Sequence, residues 1–342
     1  MSNDFTPPRV VIYGTGQFGC LIASKLVEKG WPVVGAVNRA GPKVGQDLGR
    51  LAGMGWDLGV IVQDCETADY GAMQADIGLV VTADAPADNM AAYTHLFEAG
   101  INVLCHGGGS MYAWDFDHET ATMIDALARQ HGVTFTGGGA WDLGRVWPGI
   151  LVAGACTAIT SMEHMSLTNL SSATPASKRL IEAYGVGLKA DAFRETMDAN
   201  LSPYSFIYRT VPPHVLSGLG FTVTNTSQRI EPVLHDVATR CNALERDIVP
   251  GEACGMKVIV VAETREGVTC TGEFVFELAG ERGEHFTWTV DGDASNRIIF
   301  ERLNSIGTTV GLMVNRIPDV IAAPSGVQEI ARLGPPKSSA SF

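Results

Sequence analysis

Three glycines at fixed spacing constrain the fold of this chain more than any other feature. They belong to the run Gly14-Thr15-Gly16-Gln17-Phe18-Gly19, which follows a β-branched run at 9–13 and precedes a helical pattern. In such a loop the first glycine permits a tight turn, the second lets the backbone approach a pyrophosphate, and the third lets the helix pack closely on the strand. The free N–H groups at the start of the helix attract phosphate. The run therefore predicts a dinucleotide-binding loop of Rossmann type.

The residues after the second predicted strand favour NADP(H) over NAD(H). That strand, 32–37, is followed by Asn38 and Arg39. NAD enzymes place an acid about 20 residues after the glycines to bind the ribose 2′-hydroxyl, whereas a nearby arginine suits a 2′-phosphate. Here the acid is missing, Arg39 can pair bidentately with phosphate, and Lys43 adds charge. A solvated loop charge is the alternative interpretation of Arg39.

The hydrophobic pattern changes after about residue 145. Before that point, short β-branched runs alternate with helical patterns, which is typical of a parallel sheet flanked by helices. The predicted strands are 9–13, 32–37, 77–82, 101–105 and 133–136, and the predicted helices are 18–29, 88–99 and 119–131. Beyond it, strands are predicted at 161–170, 256–262, 268–278 and 285–290, and a last helix at 306–317 ends against Pro318. The predicted class is α/β: a doubly wound parallel Rossmann sheet, then an α+β domain of mostly antiparallel sheet.

Composition excludes several classes of protein. A net charge of −13 and a pI near 5.0 argue against nucleic-acid binding, which needs clustered basic residues. Seven cysteines without a C-x-x-C pair suggest neither a disulfide framework nor a metal site. The weakly polar stretch 146–162 contains Pro148 and Gly149, which favours a buried core helix over a membrane span. We therefore expect a cytoplasmic protein with reduced thiols and no metal.

Three further segments resemble one family. They are the run Lys43-Val44-Gly45-Gln46-Asp47-Leu48-Gly49, the run Ala99-Gly100-Ile101-Asn102-Val103 and the run Val314-Asn315-Arg316-Ile317-Pro318. Together they resemble 2,4-diaminopentanoate dehydrogenases and the related native amine dehydrogenases, within the dihydrodipicolinate-reductase-like group. The resemblance runs over residues 9–330 in the same order.

The resemblance implies three segments and a homodimer. Residues 1–145 would form the dinucleotide-binding domain, 146–303 the α+β domain for substrate binding and dimerisation, and 304–342 a helix returning to the first domain, then a tail. The nicotinamide would lie over the ends of the fourth and fifth strands. The cofactor contacts there would be Thr82, Ala83, Cys105 and His106.

One departure from the family concerns its catalytic glutamate. Counting back from Tyr112-Ala113-Trp114 places Gly108 and Gly109 where the family has glutamates. A carboxylate there would stabilise an ammonium or iminium ion and transfer protons, which glycine cannot do. Without it, we expect reduction of a carbonyl or a preformed imine, with no requirement for free ammonia.

Several side chains are candidates for the remaining chemistry. His106 can exchange a proton near neutral pH and Tyr112 can donate a phenolic proton, although both can equally be pocket walls. Asp142 suits either the substrate pocket or the N-cap of the following helix. His164 and Asn169 share a predicted strand but face opposite sides of it. The predicted substrate contacts are Gly108, Met111, Trp141, Asp142, His164 and Asn169.

The sequence thus predicts an NADP(H)-dependent oxidoreductase acting on a C=O or C=N carbon of a small, fairly hydrophobic molecule. Two alternatives stay open at this point. One is an ammonia-dependent amine dehydrogenase that uses a displaced acid, such as Asp142 or His106. The other is a non-catalytic NADP-binding sensor or scaffold.

Overall fold

The computed structural model describes residues 6–197 and 206–338. The chain divides into two compact units, one made of Met1–Leu143 with Ser305–Phe342, and one of Gly144–Asn304. The first holds a parallel sheet and the second a mostly antiparallel one. The predicted fold class is confirmed. The roles of the predicted segments 1–145, 146–303 and 304–342 stay predictions.

The sheet of the first unit has seven strands, and all of its pairings are parallel. The strands are β1 (Val10–Tyr13), β2 (Val33–Asn38), β3 (Val62–Asp64), β4 (Ile77–Val80), β5 (Asn102–Cys105), β6 (Thr134–Gly137) and a C-terminal strand, Gly326–Val327. Their order across the sheet is C-terminal strand, β6, β5, β4, β1, β2, β3. The order reverses between β1 and β4, and open α/β sheets bind ligands beyond the carboxyl ends of strands at such a point.

Helices cover both faces of this sheet. The α-helices are α1 (Gln17–Glu28), α2 (Leu48–Leu51), α3 (Tyr70–Met73), α4 (Met90–Glu98), α5 (Ala113–Phe116), α6 (His118–Gln130) and the C-terminal helix, Ser305–Ala322. Shorter 3₁₀ turns are Pro86–Asn89, Gly108–Tyr112 and Ile330–Arg332. Alternate residues of β1 enter different cores, since Val10 and Ile12 pack with α1 while Val11 and Tyr13 pack with α4. This alternation follows from the two-residue period of a strand.

The C-terminal helix corrects one prediction, because it continues through Pro318 to Ala322. An interior proline costs about 3 kcal/mol, since it removes a hydrogen bond and crowds the preceding turn. Ile317 and Val320 on either side of it are fully buried in the core shared with α1. Burial of each such side chain contributes roughly 1.5–3 kcal/mol, so packing outweighs the local penalty.

The structure also corrects the predicted helix cap at Asp142. The Asp142 carboxylate is fully buried and bonds the guanidinium of Arg316, with Oδ2 accepting from Nε at 2.7 Å and Oδ1 from Nη2 at 2.6 Å. Burial raises the pKa of the Asp142 carboxyl, and the Arg316 charge opposes that rise. Breaking such a pair typically costs about 3–5 kcal/mol, because one charge is left buried alone. Asp142 therefore fastens the C-terminal helix.

The second unit is built on a six-stranded sheet with the order β14-β13-β7-β12-β11-β8, in which only β7 and β12 pair in parallel. A two-stranded ribbon pairs β9 with β10. The strands are β7 (Ile159–Asn169), β8 (Val223–Leu234), β9 (Thr239–Cys241), β10 (Arg246–Ile248), β11 (Ala253–Thr264), β12 (Thr269–Glu277), β13 (His285–Gly292) and β14 (Asn296–Glu301). The helices are α7 (Trp147–Ala153), α8 (Lys178–Ala183), α9 (Ala190–Thr196) and α10 (Val211–Gly218), with 3₁₀ turns at Pro175–Ser177 and Ile207–Thr210.

The predicted core helix over 146–162 is wrong in its second half. Helix α7 ends at Ala153 and strand β7 begins at Ile159. The Asp293 carboxylate accepts hydrogen bonds from the backbone N–H groups of Thr157 and Ala158, both at 3.0 Å. These bonds hold the connection extended and start the strand. Within 6–197 and 206–338, no helix has both the length and the apolar character needed to cross a membrane.

Candidate active site

The glycine loop has the geometry that its spacing predicts. Gly14 has a φ of 103°, in the region that favours glycine, and a Cβ there would lie 2.6 Å from the carbonyl oxygen of Val81. A Cβ on Gly19 would lie only 2.0 Å from the carbonyl oxygen of Gly14. A Cβ on Gly16 would meet nothing within 4 Å. The outer glycines are therefore required by packing, whereas the middle one leaves open space at the start of α1.

A cavity of about 850 Å³ opens beside this loop, at the carboxyl ends of β1, β2 and β4. This volume is within the range of small-molecule sites. The cavity brings together six of the twelve residues predicted to contact the dinucleotide: Gly14, Gly16, Asn38, Arg39, Thr82 and Ala83. Thr15, another predicted cofactor contact, has a buried Oγ1 with no hydrogen-bond partner among the described residues. An open glycine cradle and an unsatisfied hydroxyl both suit a phosphate-bearing cofactor.

Two basic side chains line the end of this cavity next to β2. Arg39 is exposed, and its guanidinium has no hydrogen-bond or ion-pair partner within the described parts of the chain. The Lys43 ammonium donates to the carbonyl oxygen of Thr15 at 2.5 Å, which brings its charge to the glycine loop. The two acids that line the cavity, Glu66 and Asp88, follow β3 and β4 rather than β2.

A second cavity, of about 200 Å³, lies on the other side of the glycine loop. It shares Gly16 and the segment 81–83 with the first cavity, and it adds Gln17, Phe18, Asp84, His106 and Gly107. The ends of β4 and β5 and the first turn of α1 therefore meet here. This is the place predicted for the nicotinamide and the reacting carbon.

His106 lies in this second cavity, as predicted. Its ring packs against Phe18 with centroids 4.8 Å apart, and its backbone N–H donates to the carbonyl oxygen of Val80 at 2.9 Å. Burial lowers the pKa of His106, so the imidazole is neutral at neutral pH. In the described parts of the chain, no partner bonds its Nδ1. A neutral ring can accept a proton, and the catalytic role of His106 stays a prediction.

Cys105 supports the loop rather than lining a cavity. Its buried Sγ accepts hydrogen bonds from the hydroxyl of Tyr93 at 3.1 Å and from the backbone N–H of Gly107 at 3.3 Å. Burial raises the pKa of the Cys105 thiol, so it remains protonated. The thiol therefore shapes the turn that leads into the second cavity.

Sequence reasoning missed Asp84. This residue lines the second cavity, and its Oδ1 accepts a hydrogen bond from the backbone N–H of Gly108 at 3.2 Å. Its carbonyl oxygen accepts another from the N–H of Gly109 at 3.0 Å. A carboxylate thus lies beside the two glycines at which the sequence predicted none. Its position just after β4, at a carboxyl strand end, is the signal that could have found it.

Asn89 was missed as well, and it fixes the loop that carries Asp84. Its Oδ1 accepts from the Thr82 hydroxyl at 2.5 Å and from the Ala83 N–H at 3.2 Å, while its Nδ2 donates to the Ala83 carbonyl oxygen at 2.9 Å. The side chain is buried. Asn89 therefore sets the backbone of residues 82 and 83 between the two cavities.

The other predicted residues of the first unit lie close in sequence to the site but outside its lining. Met111 and Tyr112 belong to the 3₁₀ turn that begins at Gly108, and Met111 is buried. Trp141 is buried too. Neither cavity is lined by Met111, Tyr112 or Trp141. Their roles stay predictions. Both carboxylate oxygens of Asp142 are bonded to Arg316, so Asp142 is poorly placed to act as a displaced acid.

His164 and Asn169 lie on β7 of the second unit. His164 Nδ1 is 2.9 Å from the carbonyl oxygen of Thr287 and therefore carries the proton, since a carbonyl oxygen can only accept. Burial, with the charge of Arg145, lowers the pKa of His164 to about 3, so the ring stays neutral. Its buried Nε2 has no partner among the described residues. A substrate contact by His164 stays a prediction.

Asn169 has a structural role at the end of β7. Its amide donates to the carbonyl oxygens of Gly280 and Arg282, both at 2.9 Å, and its Oδ1 accepts from the N–H groups of Ser171 and Ala279. All four hydrogen-bonding positions of the amide are thus used within this loop. Elsewhere in the described chain, no group of three or more His, Cys, Asp or Glu side chains has the arrangement of a metal site.

Comparison with known proteins agrees with this architecture. The family model of the 2,4-diaminopentanoate dehydrogenase C-terminal domain matches residues 149–341. The solved structure of an amine dehydrogenase from Mycobacterium smegmatis is 30% identical, has a TM-score of 0.81, and is matched over 98% of this chain and 99% of that chain. A UDP-N-acetylglucosamine 3-dehydrogenase from Acidithiobacillus ferrooxidans, 12% identical with a TM-score of 0.52 over 92% of this chain and 90% of that one, shares the fold.

Among curated proteins, the 2,4-diaminopentanoate dehydrogenase of Acetoanaerobium sticklandii is 26% identical over 246 residues, which are 67% of this chain. The match spans 65% of that relative's length. Fold and glycine loop together define a Rossmann-type dehydrogenase architecture. The chain belongs to the 2,4-diaminopentanoate dehydrogenase family, of amine dehydrogenase type, and the predicted resemblance is confirmed.

The middle and last glycines of the loop, Gly16 and Gly19, give a matched pair of predictions. Gly19→Ala forces a methyl group against the carbonyl oxygen of Gly14, so we expect a loss of about 1–3 kcal/mol in unfolding free energy. Gly16→Ala meets open space, so we expect stability within about 0.5 kcal/mol of the wild type. Its methyl group nevertheless stands where a pyrophosphate approaches, so dinucleotide affinity should fall roughly tenfold or more. Chemical unfolding and cofactor titration measure both; a fully stable Gly19→Ala variant would contradict the packing argument.

Proposed function

We propose that this protein is an NADP(H)-dependent oxidoreductase that transfers a hydride to or from the C=O or C=N carbon of a small, fairly hydrophobic organic molecule. The observation that carries the proposal is the shared wall of the two cavities. A dinucleotide along the glycine loop has room for its phosphates in the first cavity, and the second cavity adjoins it with His106 and Asp84. Membership of a dehydrogenase family supports the same reaction class.

The cofactor supplies or accepts the hydride when it is bound, and the chain must orient the substrate and move one proton. His106 is one candidate for that proton, because a neutral imidazole at the end of β5 can accept a hydrogen bond from the reacting group. Tyr112, at the end of the 3₁₀ turn that follows β5, is the other predicted proton donor. The small volume beside Phe18 suits a compact apolar substrate.

The preference for NADP(H) rests on charge at the end of β2. Arg39 and Lys43 line the first cavity there, and Asn38 stands where an NAD enzyme has an acid. A guanidinium without a protein partner is available for bidentate bonding to a 2′-phosphate. Glu66 belongs to a different strand end.

Replacing Arg39 tests this preference. In Arg39→Ala we expect the dissociation constant for NADPH to rise roughly tenfold or more, as for a lost hydrogen bond to a charged group, with NADH binding unchanged. Arg50→Ala is the control, since it removes the same charge from an exposed pair with Asp57 and should alter neither constant. Fluorescence titration with both cofactors provides the constants. Wild-type protein that binds NADH as tightly as NADPH would refute the preference.

Turnover tests the reaction class. NADPH consumption should be seen with at least one member of a panel of small ketones and aldehydes, with or without ammonium, and mass spectrometry should find the reduced product. Gly16→Ala, which is expected to stay folded but bind cofactor poorly, is the control for contaminating activity. If the protein binds NADPH but does not consume it with any member of the panel, it is instead a sensor or scaffold.

We also propose a homodimer formed through the second unit. One face of its sheet carries α7 and α10, as shown by the close approach of Gly149 to Trp288 and of Pro212 to Gly272. On the opposite face, Glu163, Met165, Glu273 and Thr289 line a groove of about 380 Å³. A second copy of this chain is the proposed partner for this face.

Light scattering at micromolar concentration should therefore give about twice the chain mass of 36.3 kDa. A Met165→Asp variant places a charge at the centre of the groove and should shift the mass toward that of the monomer. A wild-type mass equal to that of a single chain would rule out the dimer.

A further inference from the structure

The turn that follows β6 lies against His106, and a buried ion pair holds its far end. This turn comprises residues 137–142 and is called the β6 turn below. Its carboxylate, Asp142, bonds Arg316 of the C-terminal helix. We propose that Arg316 is a positioning residue of the second cavity: acting through Asp142, it fixes the β6 turn against the His106 ring. The inference rests on the proposed function only for its effect on turnover.

The backbone of the β6 turn contacts the imidazole of His106. A Cβ on Gly139 would lie 3.0 Å from His106 Nδ1. A Cβ on Gly137 would lie 2.4 Å from the carbonyl oxygen of Ser110, so the turn also packs directly on the 3₁₀ turn after β5. The position of this backbone therefore decides how much of the His106 ring is open to water.

Side-chain packing cannot fix the start of this turn, because the turn begins with three glycines. Gly137, Gly138 and Gly139 have no side chains to bury, and Gly139 has a φ of 131°, in the region that favours glycine. Glycine also has more backbone freedom than any other residue. The geometry of the turn must therefore be imposed from its two ends. One end is fixed by the Gly138 N–H, which donates to the carbonyl oxygen of Cys105 at 2.9 Å.

The other end of the turn is fixed by Asp142. Its backbone N–H donates to the carbonyl oxygen of Gly139 at 3.1 Å, which closes the turn. Its carboxylate accepts two hydrogen bonds from Arg316, and both side chains are fully buried. Two further bonds of the guanidinium go to the Asp319 carboxylate at 2.8 Å and to the carbonyl oxygen of Gly334 at 2.9 Å. Arg316 is therefore held by its own helix and by the chain that follows it.

Stability alone does not account for a buried ion pair at this place. An apolar pair of similar volume often stabilises a core as well or better, because no charge has to leave water. A bidentate guanidinium–carboxylate pair instead fixes a distance and an angle. The C-terminal helix lies close to the turn, since a Cβ on Gly138 would be 3.5 Å from Met313 Sδ. The pair therefore holds the β6 turn at a set position on that helix.

Loss of this link should expose the His106 ring. Burial lowers the pKa of His106, while the backbone of Gly138 and the charge of Asp84 oppose that lowering. Phe18 of α1 covers the ring as well, with centroids 4.8 Å apart. Burial is the largest of these effects. A β6 turn that moves away therefore lets water reach the imidazole, and the pKa of His106 rises toward its ordinary value.

The test replaces the pair as a whole, because breaking it would leave one charge buried alone. In the apolar pair, Asp142→Leu with Arg316→Met, the space stays filled but the link is gone. In the amide pair, Asp142→Asn with Arg316→Gln, the two side chains can still hydrogen-bond. Arg302→Lys is the control, since it weakens another largely buried pair, with Glu284, in the second unit.

Three measurements are made on each protein. The His106 imidazole signal is followed by NMR against pH and is identified by its loss in His106→Gln. The NADPH dissociation constant is measured by fluorescence titration. The pH profile of kcat/KM is recorded with the best substrate of the panel described above.

We expect the apolar pair to raise the midpoint of the His106 titration and to lower kcat/KM roughly 10- to 100-fold, as for a displaced group. The acid limb of the kcat/KM profile should move to higher pH with that midpoint, since the proposed function uses the neutral ring. NADPH binding should stay within about twofold of the wild type. The amide pair and Arg302→Lys should titrate like the wild type.

An unchanged His106 midpoint in the apolar pair would overturn the inference. An equal rise in Arg302→Lys or in the amide pair would overturn it too, because the effect would then not depend on the hydrogen-bonded link. A raised midpoint in the apolar pair alone, with no turnover by the NADPH-bound wild type, would support the positioning role and refute the proposed function.

Discussion

The close approach of α1 to β1 at Gly19 and Gly14 is the constraint on which the site depends. Because no side chain separates the two backbones there, the helix begins at the strand end and presents its first N–H groups to the cavity. The far side of α1 packs in one core with the C-terminal helix, which includes Met313 and Ile317. Arg316 of that helix, in turn, holds Asp142. A single glycine contact therefore fixes the phosphate end of the site, and a buried ion pair secures the helix behind it.

Hydrogen bonds between side chains and the backbone shape the two loops at the reaction end. Asn89 holds the loop after β4, and the Cys105 thiol holds the turn after β5. Asp84 then joins one loop to the other through the Gly108 N–H. Each loop is thus fixed by a buried polar group before any ligand arrives, which is the supporting arrangement that a precise site requires. Loops positioned by a rigid sheet are where function is usually found.

The sequence predicted what is local and missed what depends on contacts across the chain. The five predicted strands of the first unit are all present, because each is a buried β-branched run. The C-terminal strand, Gly326–Val327, is too short to leave a pattern, and β8 is a half-exposed, polar strand containing Pro232. The helix end at Pro318 was misplaced because the burial of Val320 outweighs a local rule. Likewise, the glycine loop could be predicted because it is a contiguous motif. The position of Asp84 could not, because it depends on a hydrogen bond to Gly108, which lies on the loop after a neighbouring strand.

The position of a charged side chain in the site is set by the three-dimensional fold and not by its place in the sequence. Strands β4 and β5 are paired in register, with Val80 opposite Cys105, so the loops that follow them start at the same height above the sheet. A carboxylate carried by either loop can reach the same point over the adjoining cavity. An acid near the glycines at 108 and 109 can therefore come from the adjacent loop as well as from their own. Here the loop after β4 carries Asp84, which lines the second cavity and accepts a hydrogen bond from the Gly108 N–H of the loop after β5.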